Sequence, residues 1–257
     1  MSAGYVGPRE GVEAAETEPR ARLLSPWRIA VVASLAVLTA GAAVMAFLWF
    51  TTSGTRTSEF LAAAEVKRIE VDIGDGDVTI VWGGLDEVAV RRTEHYAYDK
   101  GPSEWRTLED GVVRIFSRCP SLVIGSCAAD YRLRIRSGVP ISVRVEHGDL
   151  RLTHYRGAAD LETRAGTITV AGFCGSLLQA ATRQGDIDAS TSCAADRLEL
   201  RTDTGDVRAA VARGHYRVDA STNTGRVNVR GVTDSFTAPR TIQALSNSGD
   251  VTVEGAK

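Results

Sequence analysis

RTDTGDVRAA (201–210) has two close relatives in the same chain, ASTNTGRVNV (220–229) and LSNSGDVTVE (245–254). Each centres on a glycine among Thr, Ser, Asn or Asp. Taking that glycine as the origin, Gly76, Gly148, Gly166, Gly185, Gly205, Gly225 and Gly249 align, and from Gly148 onward they are spaced by 18, 19, 20, 20 and 24 residues. Apolar or small residues alternate with polar ones on both flanks. Leu198, Leu200 and Thr202 precede Gly205, and Val207 and Ala209 follow it. Val218, Ala220 and Thr222 precede Gly225, with Val227 and Val229 after; Ile242, Ala244 and Ser246 precede Gly249, with Val251 and Val253 after.

Alternation with period two on both sides of a turn describes two short strands, each with one buried face. Glycine supplies the turn because a positive φ costs it little, and its Asx and hydroxyl neighbours bond locally to backbone amides. A unit of about twenty residues cannot bury its apolar face alone, so neighbouring units must stack. The predicted fold class is therefore all-β, a β-solenoid of roughly 20-residue coils with Val, Ile, Leu and Ala in inward ladders. An antiparallel sandwich of hairpins is the rival.

The period blurs between Gly76 and Gly148. EVAVRRTEHYAYD (87–99), GVVRIF (111–116) and YRLRIR (131–136) read as longer strands, so 82–137 is expected to be a less regular front portion. SCAADYRLRIR (126–136) echoes SCAADRLELR (192–201), which reads as a further sign of repetition.

Ile29–Phe50 is a 22-residue run without charge, bracketed by Trp27 and by Trp49 and Phe50. As a helix it spans about 33 Å, enough for a hydrocarbon core of about 30 Å. The 28-residue lead and the length of the run favour an uncleaved anchor over a signal peptide. Arg20, Arg22 and Arg28 before it, against Arg56 close after it, predict a cytoplasmic N-terminus and an extracytoplasmic remainder. The expected organisation is a disordered cytoplasmic tail (1–28), a transmembrane helix (29–50), a linker (51–64) and a β-domain (65–257). A formal net charge of −2 gives no basis for nucleic-acid binding.

All four cysteines follow the apolar run, on the side where disulfides form. Cys174 and Cys193 each lie eight residues after a turn glycine, so stacked coils bring them one rung apart. This predicts Cys174–Cys193 and leaves Cys119–Cys127 to close the loop RCPSLVIGSC. Free buried thiols are the alternative.

The sequence holds no strong catalytic signature. His95, His147, His154 and His215 form no metal-ligand spacing, and no G-x-S-x-G elbow occurs. No cofactor or metal is expected. Asp149, Asp186, Asp206 and Asp250 follow turn glycines, so stacking would place carboxylates near one another. That arrangement suits calcium or acid–base chemistry as well as ordinary turn bonding. Arg132, Arg134, Arg136 and Arg144 are expected on one outer face, as an interaction surface for acidic glycans, lipid headgroups or a protein.

LELRTDTGDVRA (198–209), VDASTNTGRVNV (218–229) and ALSNSGDVTV (244–253) together resemble the repeat of the bacterial DUF4097 family of adhesin-like domains, over roughly 66–254. The resemblance implies the β-solenoid and a membrane anchor before it, and supplies no catalytic residues. It implies a non-enzymatic, single-pass membrane protein that binds an unidentified envelope protein or cell-wall ligand. Two alternatives stay open: an accessory sensor of an envelope stress system, and a surface polysaccharide-processing enzyme using the stacked Asp residues.

Overall fold

The computed structural model describes residues 26–62, 66–83, 88–97, 100–121 and 125–255. Most of the expected tail (1–28) and the end of the expected linker lie outside the described residues.

Helix α1 (Pro26–Thr52) contains the whole apolar run. Proline suits a helix start because the first-turn N–H has no intrahelical acceptor. Its span Pro26–Leu48 has a mean hydropathy of 2.3 and no part of it is buried against protein. Its described hydroxyls are satisfied inside the helix, Ser34 Oγ donating to the Ala30 carbonyl at 2.9 Å and Thr39 Oγ1 to the Leu35 carbonyl at 3.0 Å. This is what a helix in hydrocarbon requires. The chain carries one candidate membrane-spanning segment among the described residues.

The rest is almost wholly β. The first seven strands are β1 (Ser53–Ala62), β2 (Arg68–Asp75), β3 (Val78–Trp82), β4 (Val88–Ala97), β5 (Ser103–Glu109), β6 (Val112–Arg118) and β7 (Cys127–Ile135). Pairs then flank successive glycine turns: β8 (Ile141–His147) and β9 (Leu150–Thr153), β10 (Ala159–Ala165) and β11 (Ile168–Phe173), β12 (Leu177–Gln184) and β13 (Ile187–Thr191), β14 (Arg197–Thr204) and β15 (Val207–Val211). The last five are β16 (His215–Thr224), β17 (Val227–Arg230), β18 (Thr233–Asp234), β19 (Arg240–Ser248) and β20 (Val251–Gly255).

These strands form two ten-stranded sheets. The strand before a turn glycine joins one sheet and the strand after it joins the other. The first sheet runs β1-β4-β7-β3-β9-β11-β13-β15-β20-β17, and the second β18-β16-β19-β14-β12-β10-β8-β2-β6-β5. From β8 onward every neighbour is parallel, for example Leu161 beside Ala180 and Val143, and Val207 beside Ile187 and Val251, and the register is broken only where β11 meets β13. Inward residues of both sheets merge into one core from Val66 to Val253. Each fully buried Val, Leu or Ile contributes about 1.5–3 kcal/mol relative to exposure.

Three features depart from the sequence reading. Residues 53–62, read as linker, form β1, which pairs antiparallel with β4 from Ser53↔Ala97 to Ala62↔Val88. The 82–137 portion is less regular, in line with its blurred period: it supplies β6 and β7 to the stack together with the antiparallel strands β4 and β5. Asp110 (φ 53°) and Gly111 (φ 80°) make the two-residue turn between β5 and β6, where a right-handed strand twist demands positive φ at both positions. The echo between 126–136 and 192–201 is not structural, since its strands β7 and β14 lie in different sheets.

The third departure concerns order. The coils do not stack in chain sequence at either end. β2 lies between β6 and β8, and the coil β19–β20 lies between β14–β15 and β16–β17. Gly249 therefore sits on Gly205, and Gly225 sits on Gly249. The 24-residue interval between Gly225 and Gly249 holds β18 and the return path. This makes β16–β17 the outer coil, so Val227, read as inward and enclosed, is 46% exposed.

Candidate functional site

The polar atoms of the repeated phrase are used by the fold. Three residues before each later turn glycine, a hydroxyl donates to a turn-glycine carbonyl on the adjoining rung: Thr163 Oγ1 to Gly148 at 3.1 Å, Thr182 to Gly166 at 3.2 Å, Thr202 to Gly185 at 2.9 Å, Ser246 to Gly205 at 2.9 Å and Thr222 to Gly249 at 2.8 Å. Four of these hydroxyl residues are buried, where an unpaired carbonyl beside them would be costly. The sequence signal was the Thr/Ser at that position, read there only as part of the alternation.

The carboxylates after the glycines do a matching task. Asp77 Oδ1 accepts from the Asp149 amide at 2.9 Å, and Asp149 Oδ1 from the Thr167 amide at 2.8 Å. Asp186 Oδ1 accepts from the Asp206 amide at 2.8 Å, Asp206 Oδ1 from the Asp250 amide at 2.8 Å, and Asp250 Oδ1 from the Arg226 amide at 2.9 Å. The guanidinium of Arg226, hydrogen-bonded to Asp250, holds that carboxyl below its ordinary range. Each carboxylate thus bonds across one rung. No cluster of three or more His, Cys, Asp or Glu suited to a metal occurs among the described residues.

Both disulfides are formed. Cys174 and Cys193 have Cα atoms 5.0 Å apart, and Cys119 and Cys127 have Cα atoms 6.0 Å apart. The first joins consecutive rungs just beyond β11 and β13. Replacing Cys174 and Cys193 with Ser should cost about 2–4 kcal/mol by freeing the unfolded chain. The drop is read as a lowered thermal midpoint under oxidising conditions, and an unchanged midpoint contradicts it.

Buried phenols add a pH signature. Tyr155 is fully buried and its hydroxyl donates to the Val139 carbonyl. Burial raises its pKa well above the ordinary 10.0, and raises that of Tyr131 as well. A raised acid pKa means the folded state keeps a proton that the unfolded state releases. The stability is fully present below about pH 10 and is lost as pH rises towards the folded pKa. Unfolding midpoints should fall from about pH 10 upward, and Tyr155→Phe should flatten that fall while lowering neutral-pH stability by about 1 kcal/mol.

The four arginines do not share a face. Arg132 and Arg134 project from β7 on the outside of the first sheet. Arg136 follows β7, is half-buried, and donates to the Val66 carbonyl at 3.3 Å. Arg144 lies on β8 in the second sheet, paired with Glu162 at 3.2 Å. All four numbers are even along segments of alternating burial, but a sheet change lies between β7 and β8.

What the structure brings together instead is Arg91, Arg132, Arg134 and Arg151 on the outside of the first sheet, while Arg208 lies three strands further on, beside Asp188. Arg91 stands beside Arg132, and Thr79 beside both Arg132 and Arg151. The acids on this face are Glu59, paired with Arg91; Asp130, 2.9 Å from His95; Glu254, 3.2 Å from Arg230; and Asp188. Among the described residues no carboxylate makes an ion pair with Arg132, Arg134 or Arg151. The second sheet differs: Glu70 pairs with Arg114 at 2.9 Å, Asp72 with Arg118 at 2.7 Å and Glu162 with Arg144.

Two of the remaining histidines are at strand ends. His147 Nδ1 lies 3.2 Å from Asp75 Oδ1, and His215 is exposed on β16. His154 stands apart because its φ is +50°.

A membrane-helix candidate, paired repeat sheets and the hydroxyl-x-x-Gly turn define a repeat-sheet architecture. Residues 125–254 match the family model described as Toastrack DUF4097, and the chain belongs to that family. No curated protein matches the chain. Among solved structures, a candidate cell-adhesion protein from Clostridium sporogenes is 10% identical with a TM-score of 0.49, over 78% of this chain and 100% of its own. A candidate adhesin from Bacteroides fragilis is 14% identical with a TM-score of 0.41, over 79% of this chain and 97% of its own.

Proposed function

We propose that this is a non-enzymatic, single-pass membrane protein whose two sheets close as a β-solenoid and whose outer surface binds the cell envelope. The N-terminus is cytoplasmic and the β-domain extracytoplasmic, as the arginine excess before the helix and the two disulfides favour. Parallel pairing along most of the stack makes the surface stiff, since each coil is braced by its neighbours. The observation that carries the binding reading is the arginine face on the first sheet. Arg132, Arg134 and Arg151 make no ion pair with a described carboxylate, and guanidinium groups held together in this way suit an anionic partner. The Asp column supports a non-catalytic reading, because its carboxylates are occupied across rungs.

The test is crosslinking of the full-length protein in intact cells, followed by identification of what is captured. Wild type should capture envelope polymer, and the triple variant Arg132→Gln, Arg134→Gln, Arg151→Gln should capture several-fold less. Equal capture by both removes the arginine face from the account. Capture of a membrane regulator alone would favour the sensor reading.

A further inference from the structure

We propose that the cleft beside Trp82 is a binding site for an anionic saccharide, with Trp82 as the stacking surface and Arg156 as the partner of the anionic group. This deepens the envelope-binding reading and rests on it.

The cleft occupies about 570 Å3, and its lining includes Val81, Trp82, Ser137, Thr153, His154 and Arg156 together with Gly172 and Ser192. Its volume lies within the roughly 300–1,000 Å3 of small-molecule sites. None of its described lining residues is acidic. It adjoins the arginine face, because Val81 on β3 is the direct neighbour of Arg134 on β7.

The repeat is broken here. Elsewhere on these rungs the parallel pairing of the first sheet is regular, but β11 bulges. Val170 pairs with Ala189 and Phe173 with Thr191, leaving an extra residue on β11. Gly172, in the bulge, has φ +64°, and its amide donates to Ser190 Oγ at 3.1 Å. One rung away His154 adopts φ +50°, a conformation that costs a non-glycine residue energy and persists only where its surroundings fix it. Its amide donates to the Ala171 carbonyl at 2.8 Å, and its ring lies over Gly172, where an added Cβ would be 3.0 Å from Cδ2. The glycine thus leaves room for the imidazole. Ser192 Oγ donates to the Gly172 carbonyl at 3.1 Å, and the Cys174–Cys193 disulfide follows directly. Bulges of this kind re-aim side chains at functional sites. The strain, the bulge and the brace coincide at one position in an otherwise uniform stack.

The chemistry of the lining selects the ligand class. Trp82 is 54% exposed, and a large indole face open to water at a cleft wall suits the C–H face of a pyranose ring. Arg156 is exposed and offers the planar fork that grips a carboxylate or phosphate with two hydrogen bonds. Thr153, Ser137 and His154 supply the donors and acceptors that sugar hydroxyls need. The larger groove on the second sheet lacks this bias: Arg68, Arg114 and Arg144 face Glu70, Asp72 and Asp160 there.

The experiment uses the full chain in detergent, titrated with hexameric oligogalacturonate and, as the neutral control, maltohexaose. Oligogalacturonate should bind, and Trp82→Ala and Arg156→Gln should each weaken it at least tenfold. Trp105→Ala, on the second sheet, should bind as wild type does. All three positions are exposed, so thermal midpoints should be unchanged, which separates lost binding from lost folding. No binding of oligogalacturonate by wild type, equal binding of maltohexaose, or wild-type affinity in both cleft variants overturns the proposal. A second arm measures retention on isolated cell envelopes. Equal retention of wild type and Trp82→Ala overturns the cleft and leaves envelope binding standing. No retention of wild type overturns the envelope reading itself.

Discussion

Replacing Val207 with Asp should unfold the coils around it. Val207 is 1% exposed and sits between Ile187 and Val251 on adjoining rungs of the first sheet. A carboxylate there has no described cationic partner inside the core. It either stays charged in an apolar layer or takes up a proton at a pKa raised by burial, and both routes cost several kcal/mol. An expected loss above about 4 kcal/mol is a large share of the stability of an ordinary domain. Val227→Asp is the internal comparison. Val227 is the corresponding residue of the outer coil and is nearly half exposed, so its carboxylate keeps much of its hydration. Its cost should stay below about 1 kcal/mol, as for most substitutions at open sites. Limited proteolysis of the full chain gives the readout: rapid cleavage within the β-domain for Val207→Asp, wild-type resistance for Val227→Asp. Equal resistance of the two would mean that Val207 does not face the core.

Gly205→Ala should be almost as damaging, through the backbone. Gly205 has φ +141°, and an added Cβ would lie 2.1 Å from the Gly185 carbonyl oxygen and 2.6 Å from its carbon. No side chain can move aside to relieve that overlap, because the obstacle is the main chain of the next rung. The rungs must separate locally, which also lengthens the bonds that Thr202 and Asp186 make across the same gap. Strain of this φ alone costs about 1–3 kcal/mol, and the overlap adds to it. The expected total is at least about 3 kcal/mol. Gly138→Ala separates the two contributions. Gly138 has φ +87° and nothing within 4 Å of the added atom, so only the conformational cost of about 1–2 kcal/mol applies. Thermal midpoints of the two variants measure the difference, and equal midpoints would refute the steric account.

These effects explain why so much of the architecture is legible in one phrase. TDTGD states the buried hydroxyl at Thr202, the close-packed glycine at 205 and the amide-binding carboxylate at Asp206 in five letters. Strand alternation then follows on both sides, and the register of Cys174 with Cys193 follows from the spacing. The order of the coils is not legible for the same reason. Every rung offers nearly the same edge, so Gly225 and Gly249 are equivalent as letters, and only the longer return through 231–239 marks the exchange. β1 escaped notice because SGTRTSEFLA has mainly polar residues, and just Phe60 packs on the core. Arg144 was misplaced because alternation tells inside from outside but not which of two outsides. The cleft was hidden further. His154 and Gly172 are ordinary letters 18 positions apart, and their meeting requires a bulge that the phrase does not encode.

The exchanged coil order has a consequence for biosynthesis. A growing chain presents β14 and then β16 before β19 exists. β16 can lie against the open edge of β14 with Val218 facing Leu198, in the register that β19 takes in the finished molecule, where Ile242 is the neighbour of both. That premature pairing buries apolar surface and satisfies backbone groups, so it is a competent kinetic trap. A chain caught in that pairing must release β16 to admit the coil made after it. Wherever that pairing forms first, the finished order is reached only by inserting β19 between β14 and β16.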